Sequence, residues 1–282
     1  MPPDYLVIGH VTEDVWCDGR VTPGGTAWFA ALAARRLVEN VSVLTAAADD
    51  YDVERHLPGI CVYRLASPVT TQFKNVYTPA GRIQYTQPSP LRLTPAHLTP
   101  ALCHSQIVHL APVCDEVSPD FVDVLPPDVF VGVTPQGWLR RWDEAGRVHP
   151  KPWDTAPRVL KRANATVISI DDVAGDWPLA LTWAAQTSLF VVTESADGCT
   201  LFLKGKPYRI PAPTVQEVDP TGAGDIFAAV LFVVLRRGVD PITACEFANC
   251  VAAQSVTRSG LDSLPTAADL KHCSTILPTG WI

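Results

Sequence analysis

The residues best placed to do chemistry run from Asp219 to Asp225, Asp-Pro-Thr-Gly-Ala-Gly-Asp, and lead straight into the apolar stretch IFAAVLFVVL. Gly222, Ala223 and Gly224 are small enough for a ligand to approach the backbone closely, and a helix starting there aims free N–H groups at it. A helix N-terminus carries about half a positive charge, so the segment reads as an anion site that needs no lysine. Asp225 puts a carboxylate into that site. One reading makes it a complement to the helix dipole, worth ~0.3–1 kcal/mol. The other makes it a general base that takes a proton from a hydroxyl while the amides stabilise a transferred phosphoryl group.

Such a site needs a scaffold, and the chain supplies alternating signals for one. Tyr5 to Gly9 is a short apolar run closed by glycine, as in a buried parallel strand. Gly24 and Gly25 then precede an alanine-rich helix from Thr26 to Leu37, with Arg35 and Arg36 near its end, and Val41 to Thr45 is the next strand. Cys61 to Arg64, Thr70 to Tyr77 and Arg82 to Gln87 read as extended, the last two flanking a turn at Pro79-Ala-Gly81. Further strands are expected at Ile107–Leu110, Val129–Val133, Thr166–Ser169 and Leu189–Thr193, with a hairpin over Cys199–Ile210. Helices are expected at Pro119–Val124, Pro178–Gln186, Gly222–Arg237 and Pro241–Ser255. The pattern predicts one α/β domain over 1–282, a mainly parallel sheet with helices on both faces. A small β lid built from about 15–22 and 70–87 would cover it.

Composition narrows the partners. Of 282 residues, 47% are hydrophobic and 18% charged, enough for a continuous core and too apolar for an extended disordered chain. A net charge of −7 with only six lysines leaves no electrostatic footprint for nucleic acid. The opening MPPDYLVIGH lacks the features of a signal peptide, and the longest apolar run, Ile226–Leu235, is about half a membrane span. A soluble, cytoplasmic protein with no membrane partner is therefore expected. The eight cysteines contain no CxxC and are expected to be buried, reduced thiols. His104 and His109, five apart, miss the spacing that puts two metal ligands on one helix face.

DPTGAGD followed by an apolar helix resembles the C-terminal signature of the ribokinase/PfkB family of carbohydrate kinases. Gly9 with Asp14 after it, the Gly24-Gly25 pair, VSVLTAAADD, VVTESADGCTLF and VAAQSVTRSGLDSLP resemble the family's other segments in the right order. The resemblance implies a ribokinase-like fold and ATP-dependent phosphorylation of a sugar or cyclitol hydroxyl. It places the base at Asp225, the anion hole at Gly222, Ala223 and Gly224, and substrate contacts at Asp14 and Gly25. Thr193, Gly198, Thr221 and Asn249 would line the ATP pocket, Asp172 would serve a hydrated Mg²⁺, and Asp219 matches a position that binds a monovalent cation in some members. By residue chemistry alone, Asp14 and the glycine pair also fit a plain turn, and Asn249 fits a solvent-facing helix position.

Two positions depart from the family pattern. Phe29 stands where an asparagine is usual, which removes a polar substrate contact, and Ser169-Ile-Asp-Asp172 replaces an Asn-x-x-Glu element. HLAPVCDEV and VTPQGWLRRWDEAGRV are similar to segments of inositol-kinase-like members, which would bring Gln136 and Arg140 to a polyol such as myo-inositol. An equally simple account packs Trp138 against Trp142 on a surface turn. The alternatives are a nucleoside kinase on the same fold, or a ligand sensor that has lost the chemistry. A nicotinamide enzyme is disfavoured because GHVTED after the first strand lacks the glycine fingerprint. An exposed lid edge also allows a homodimer through the lids.

Overall fold

The computed structural model describes residues 1–16, 18–78 and 81–281. Its strands are β1 Tyr5–Ile8, β2 Thr12–Val15, β3 Val21–Gly24, β4 Val41–Ala47, β5 Cys61–Ala66, β6 Gln72–Thr78, β7 Gly81–Gln87, β8 Ile107–Leu110, β9 Phe130–Val133, β10 Arg140–Trp142, β11 Val148–Pro150, β12 Ala165–Ser169, β13 Leu189–Thr193, β14 Cys199–Leu203 and β15 Lys206–Ile210. Its helices are α1 Thr26–Ala34, α2 Val53–His56, α3 Pro100–Cys103, α4 Phe121–Val124, α5 Ala156–Arg162, α6 Trp177–Ala184, α7 Ala223–Arg236, α8 Pro241–Ser255 and α9 Ala267–Cys273.

Nine strands form the main sheet in the order β15-β14-β13-β12-β9-β8-β1-β4-β5. Pairing is parallel from β13 through to β5, and the β14–β15 hairpin closes one edge antiparallel. Alternation along each strand divides the core in two. Tyr5 and Val7 join the cluster built by α1, α7, α8 and α9, whereas Leu6 and Ile8 join Phe121, Val159 and Trp183 from α4, α5 and α6 on the other face. Helix α7 lies between α1 and α8 and against β8, so every residue from Ile226 to Val234 is buried. That explains a run with no polar face.

A second sheet, in the order β3-β2-β6-β7, draws on both segments expected to cover the first; β2 pairs parallel with β6 and the other contacts are antiparallel. The expected turn at Pro79-Ala-Gly81 lies largely outside the described residues. Cys61–Ala66 does not join this sheet but pairs with β4 at the edge of the main one. Helix α1 stops at Ala34, and the sequence reading missed α5, α9 and the β10–β11 hairpin. No helix among the described residues is long and apolar enough to cross a membrane.

Two local expectations need correction. Cys250 and Cys273 are joined by a disulfide, with Cα atoms 5.8 Å apart where α9 packs on α8. Spacing 23 residues apart gives no hint of that contact; Cys61, Cys103, Cys114, Cys199 and Cys245 are free thiols. Trp138 does not pack on Trp142, because the chain passes from a short 3₁₀ turn into β10 and loses helical spacing. Trp138 stacks on Trp153 instead, with ring centroids 5.8 Å apart. His109 lies inside β8 between the Tyr5 and Thr134 hydroxyls, and burial lowers its pKa to about 3, so it stays neutral.

The loops at the carboxyl ends of β1 and β8 are tied by one buried carboxylate. Glu116 accepts from the amides of His10, Val113 and Cys114 at 2.7–3.1 Å. Replacing it leaves three buried donors without an acceptor. Glu116→Ala is expected to lower the unfolding free energy by about 2–4 kcal/mol in urea titrations. A loss below ~1 kcal/mol would show that water replaces the carboxylate.

Candidate active site

The N-termini of α1 and α7 meet beyond the carboxyl ends of the central strands, and their first residues build the site. Gly222 caps α7 with φ +80°, a left-handed conformation suited to glycine. A Cβ there would sit 2.3 Å from the Phe29 ring of α1. Phe29, marked by the sequence as a lost polar contact, is thus the floor beneath the turn. Among the described residues, the Gly222, Gly224 and Asp225 amides have no acceptor, whereas the Ala223 amide donates to the Pro220 carbonyl at 3.2 Å. The open amides are therefore not the three the sequence singled out, since Ala223 is turned back into its own loop.

Asp225 follows on the same turn. Thr26, the first residue of α1, donates a side-chain hydrogen bond to it. Burial pushes the Asp225 carboxyl up to about 6; the Thr26 bond and the Arg140 charge pull down, and the Asp172 and Asp14 charges push up. Asp14, Asp172 and Arg140 therefore lie within electrostatic reach of Asp225. Asp14 reaches it from β2, its carboxylate so close to Gly24 that a Cβ there would lie 2.4 Å from Oδ2. Gly25 caps α1 at φ +84°, over the His10 carbonyl.

Gln136 and Arg140 come from the far side. The Gln136 side-chain amide donates to Asp172 Oδ1 at 3.2 Å, and the Arg140 guanidinium lies 5.9 Å from the Phe73 ring centroid on β6. Asp172 Oδ2 accepts from the Ser169 amide, so Ser169-Ile-Asp-Asp172 closes a capping box at the end of β12.

Sequence reasoning missed Thr26 and Tyr51. The only signal for Thr26 is its place directly after the glycine pair. Tyr51 follows Asp49 and Asp50; its hydroxyl is buried without a partner among the described residues. Its pKa is raised by burial and then by the Glu13 and Asp14 charges, which puts it beside the β2 carboxylates.

Comparison with known proteins places part of the chain in a family model and the whole chain in a known fold. Residues 178–267, which contain the whole Asp219–Asp225 turn, match the model described as "pfkB family carbohydrate kinase". The "Bifunctional protein HldE" of Rhodopseudomonas palustris (strain BisB5) is 39% identical over 105 residues, covering 37% of this chain and 21% of that protein. Fructokinase-1 of Oryza sativa subsp. japonica is 34% identical over 131 residues, 42% of this chain and 39% of that one. The matched segments thus span less than half of either relative. A pyrophosphate-dependent kinase in the ribokinase family, solved with a pyrophosphate analog and myo-inositol, superposes with TM-score 0.79 at 22% identity, covering 95% of this chain and 99% of that one. Arabidopsis thaliana ribokinase with ribose and ATP gives 0.77 at 16%, covering 99% and 100%. Residues 178–267 thus carry the pfkB family match, and the chain as a whole has the ribokinase-like fold.

The residues expected on the nucleotide side are largely turned inward. Asn249 is buried on α8 and donates to the Ile210 carbonyl at 3.0 Å, so it does not face solvent. Gly198 lies against the same strand end, since a Cβ would meet the Ile210 oxygen at 2.2 Å. The Thr193 hydroxyl donates to the Ile168 carbonyl at 3.3 Å. The Thr221 amide donates to Asp219 Oδ1, so that carboxylate braces its own turn. Asp172 and Asp225 act on each other electrostatically and offer the oxygen donor type that suits hydrated Mg²⁺, while no group of three or more metal-ligating side chains gathers among the described residues.

Two outcomes follow. Gly222→Ala combines the left-handed φ with a clash on Phe29; Phe29→Leu should relieve the clash and leave a residual ~1–2 kcal/mol from φ. A double-mutant cycle on unfolding free energies with no coupling would exclude this packing. The raised Asp225 carboxyl also makes the fold hold a proton more tightly than the unfolded chain. Its contribution is complete below the ordinary aspartate range near pH 4 and lost as pH rises through about 6. The melting temperature of Asp225→Asn should therefore gain on the wild type across that interval. Arg140→Met should shift the midpoint up and Asp172→Asn should shift it down.

Proposed function

We propose that this protein is a kinase that transfers a phosphoryl group to a hydroxyl of a sugar or cyclitol, with a myo-inositol-like polyol favoured as acceptor. The observation that carries the reading is the placement of Asp225. A carboxylate with its pKa raised to about 6 sits on the first turn of α7, next to unpaired amides and opposite Asp14 and Arg140. A base titrating near the working pH takes up a proton with the least mismatch. The family match, and a structural neighbour solved with myo-inositol, support the acceptor class.

In the proposed reaction, Asp14 accepts hydrogen bonds from acceptor hydroxyls and Arg140 donates to them. Asp225 takes the proton of the attacking hydroxyl. The new oxygen–phosphorus bond forms as the bond to the leaving phosphate oxygen breaks, and the Gly222, Gly224 and Asp225 amides stabilise the charge on the transferred group. Mg²⁺ held by Asp172 and Asp225 would neutralise phosphate charge. Thr26 fixes the Asp225 rotamer, and Phe29 supports the turn from below and excludes water.

ATP is the donor the family resemblance implies. Pyrophosphate is the second reading, favoured by one observation: the buried Asn249 side-chain amide donates to the Ile210 carbonyl and so is already engaged within the protein. The neighbour solved with a pyrophosphate analog supports it.

A panel of myo-inositol, ribose, fructose phosphates and adenosine, run with ATP and with pyrophosphate, tests the acceptor and the donor together. Transfer to the cyclitol is expected; ligand-induced thermal shifts without any transfer would make the protein a sensor. Asp225→Asn should still bind donor but lose at least ~10²-fold in turnover, and wild-type kcat/KM should rise through about pH 6. Near-normal turnover in the variant would remove Asp225 as the base.

A further inference from the structure

The two helices that begin at the active site also end together. Helix α1 finishes at Ala34 and is followed by Arg35 and Arg36; α7 finishes at Arg236 and is followed by Arg237. These four arginines line a cavity of about 640 Å³ at the amino-terminal edge of the sheet, beside Asp4 and Gln106. The chain has 22 basic residues against 29 acidic ones, so four arginines around one cavity depart from its overall balance.

No carboxylate among the described residues pairs with any of the four. Arg35 donates to the Gly59 and Val38 carbonyls, and Arg237 donates to the Leu37 carbonyl at 2.6 Å while lying over the Trp281 ring. Arg36 and Arg236 have no such bond. Of the acidic lining residues, Asp4 is taken up by the Asn40 amide and the Gln106 side chain, which leaves Glu39 as the acidic counterweight. A concave wall with surplus guanidinium groups selects a compact, multiply charged oxyanion, which accepts several charge-assisted hydrogen bonds at once. A cavity of this size lies within the range of small-molecule sites.

We propose that this cavity binds a phosphate-class anion, inorganic phosphate or pyrophosphate, chiefly through Arg36 and Arg236. Such an anion bridges the end of α1 to the end of α7. The Arg237 to Leu37 bond already crosses between the same two ends. At the opposite ends of these helices lie the Thr26 bond to Asp225 and the Phe29 contact with Gly222. The bound anion therefore holds in place the two helices whose first turns form the active site. The binding claim stands apart from the proposed reaction; its effect on turnover rests on it.

The test is isothermal titration of the full chain with pyrophosphate and with phosphate at matched ionic strength. It compares wild type with Arg36→Glu/Arg236→Glu and, in case reversed charge disturbs folding, with Arg36→Gln/Arg236→Gln. If the active site also takes the anion, stoichiometry falls from two to one in the variants, or affinity at the second site weakens by at least ~tenfold. If the proposed reaction is wrong and only this cavity binds, stoichiometry falls from one to none. Unchanged stoichiometry and affinity, or no binding in the wild type, overturns the proposal. Arginine-dependent capture on phosphatidylserine vesicles with no response to either anion would assign the patch to a membrane surface and also overturn it.

Discussion

The contact between the first turn of α1 and the first turn of α7 governs the site. Thr26 bonds to Asp225, and Phe29 packs beneath Gly222, so a hydroxyl and a ring from one helix set the rotamer and the backbone of the other. Both helices are held in place by burial against the same face of the sheet, where Tyr5, Val7, Val43 and Ile107 meet them. A shift of either helix moves the carboxylate against the open amides. The hydrophobic core thus sets distances that hydrogen bonds alone would leave loose.

Charge then tunes what packing has placed. Asp14, Asp172 and Asp225 approach one another from three elements, and only Arg140 opposes them from within the group that acts on Asp225. Like charges raise the cost of ionising any one of them, and burial adds to it. Even in an acidic protein with few lysines, helix amides and a placed guanidinium supply positive potential here.

The strand–helix alternation and the Asp219–Asp225 turn were legible because they are local: apolar runs closed by glycine, and small residues leading into a helix. Pro241–Ser255 and the Cys199–Ile210 hairpin appear with the expected limits for the same reason. What failed is non-local. Phe29 and Gly222 lie far apart in the chain, so the aromatic residue looked like a missing contact when it is a support. The Cys250–Cys273 bridge, the inward turn of Asn249 and the stacking of Trp138 on Trp153 likewise depend on which elements become neighbours. Propensity and spacing carry no record of that. Cys61–Ala66 shows a milder failure: its extended form was readable, but its sheet was decided by pairing with β4.

One of the connections between the small sheet and the main sheet has no slack. Gly24 ends β3, Gly25 caps α1, and Thr26 is the first helical residue, so strand, cap and helix follow one another without a linker. A displacement of Gly24 or Gly25 therefore passes directly to Thr26, the residue that reaches Asp225, with no intervening chain to absorb it.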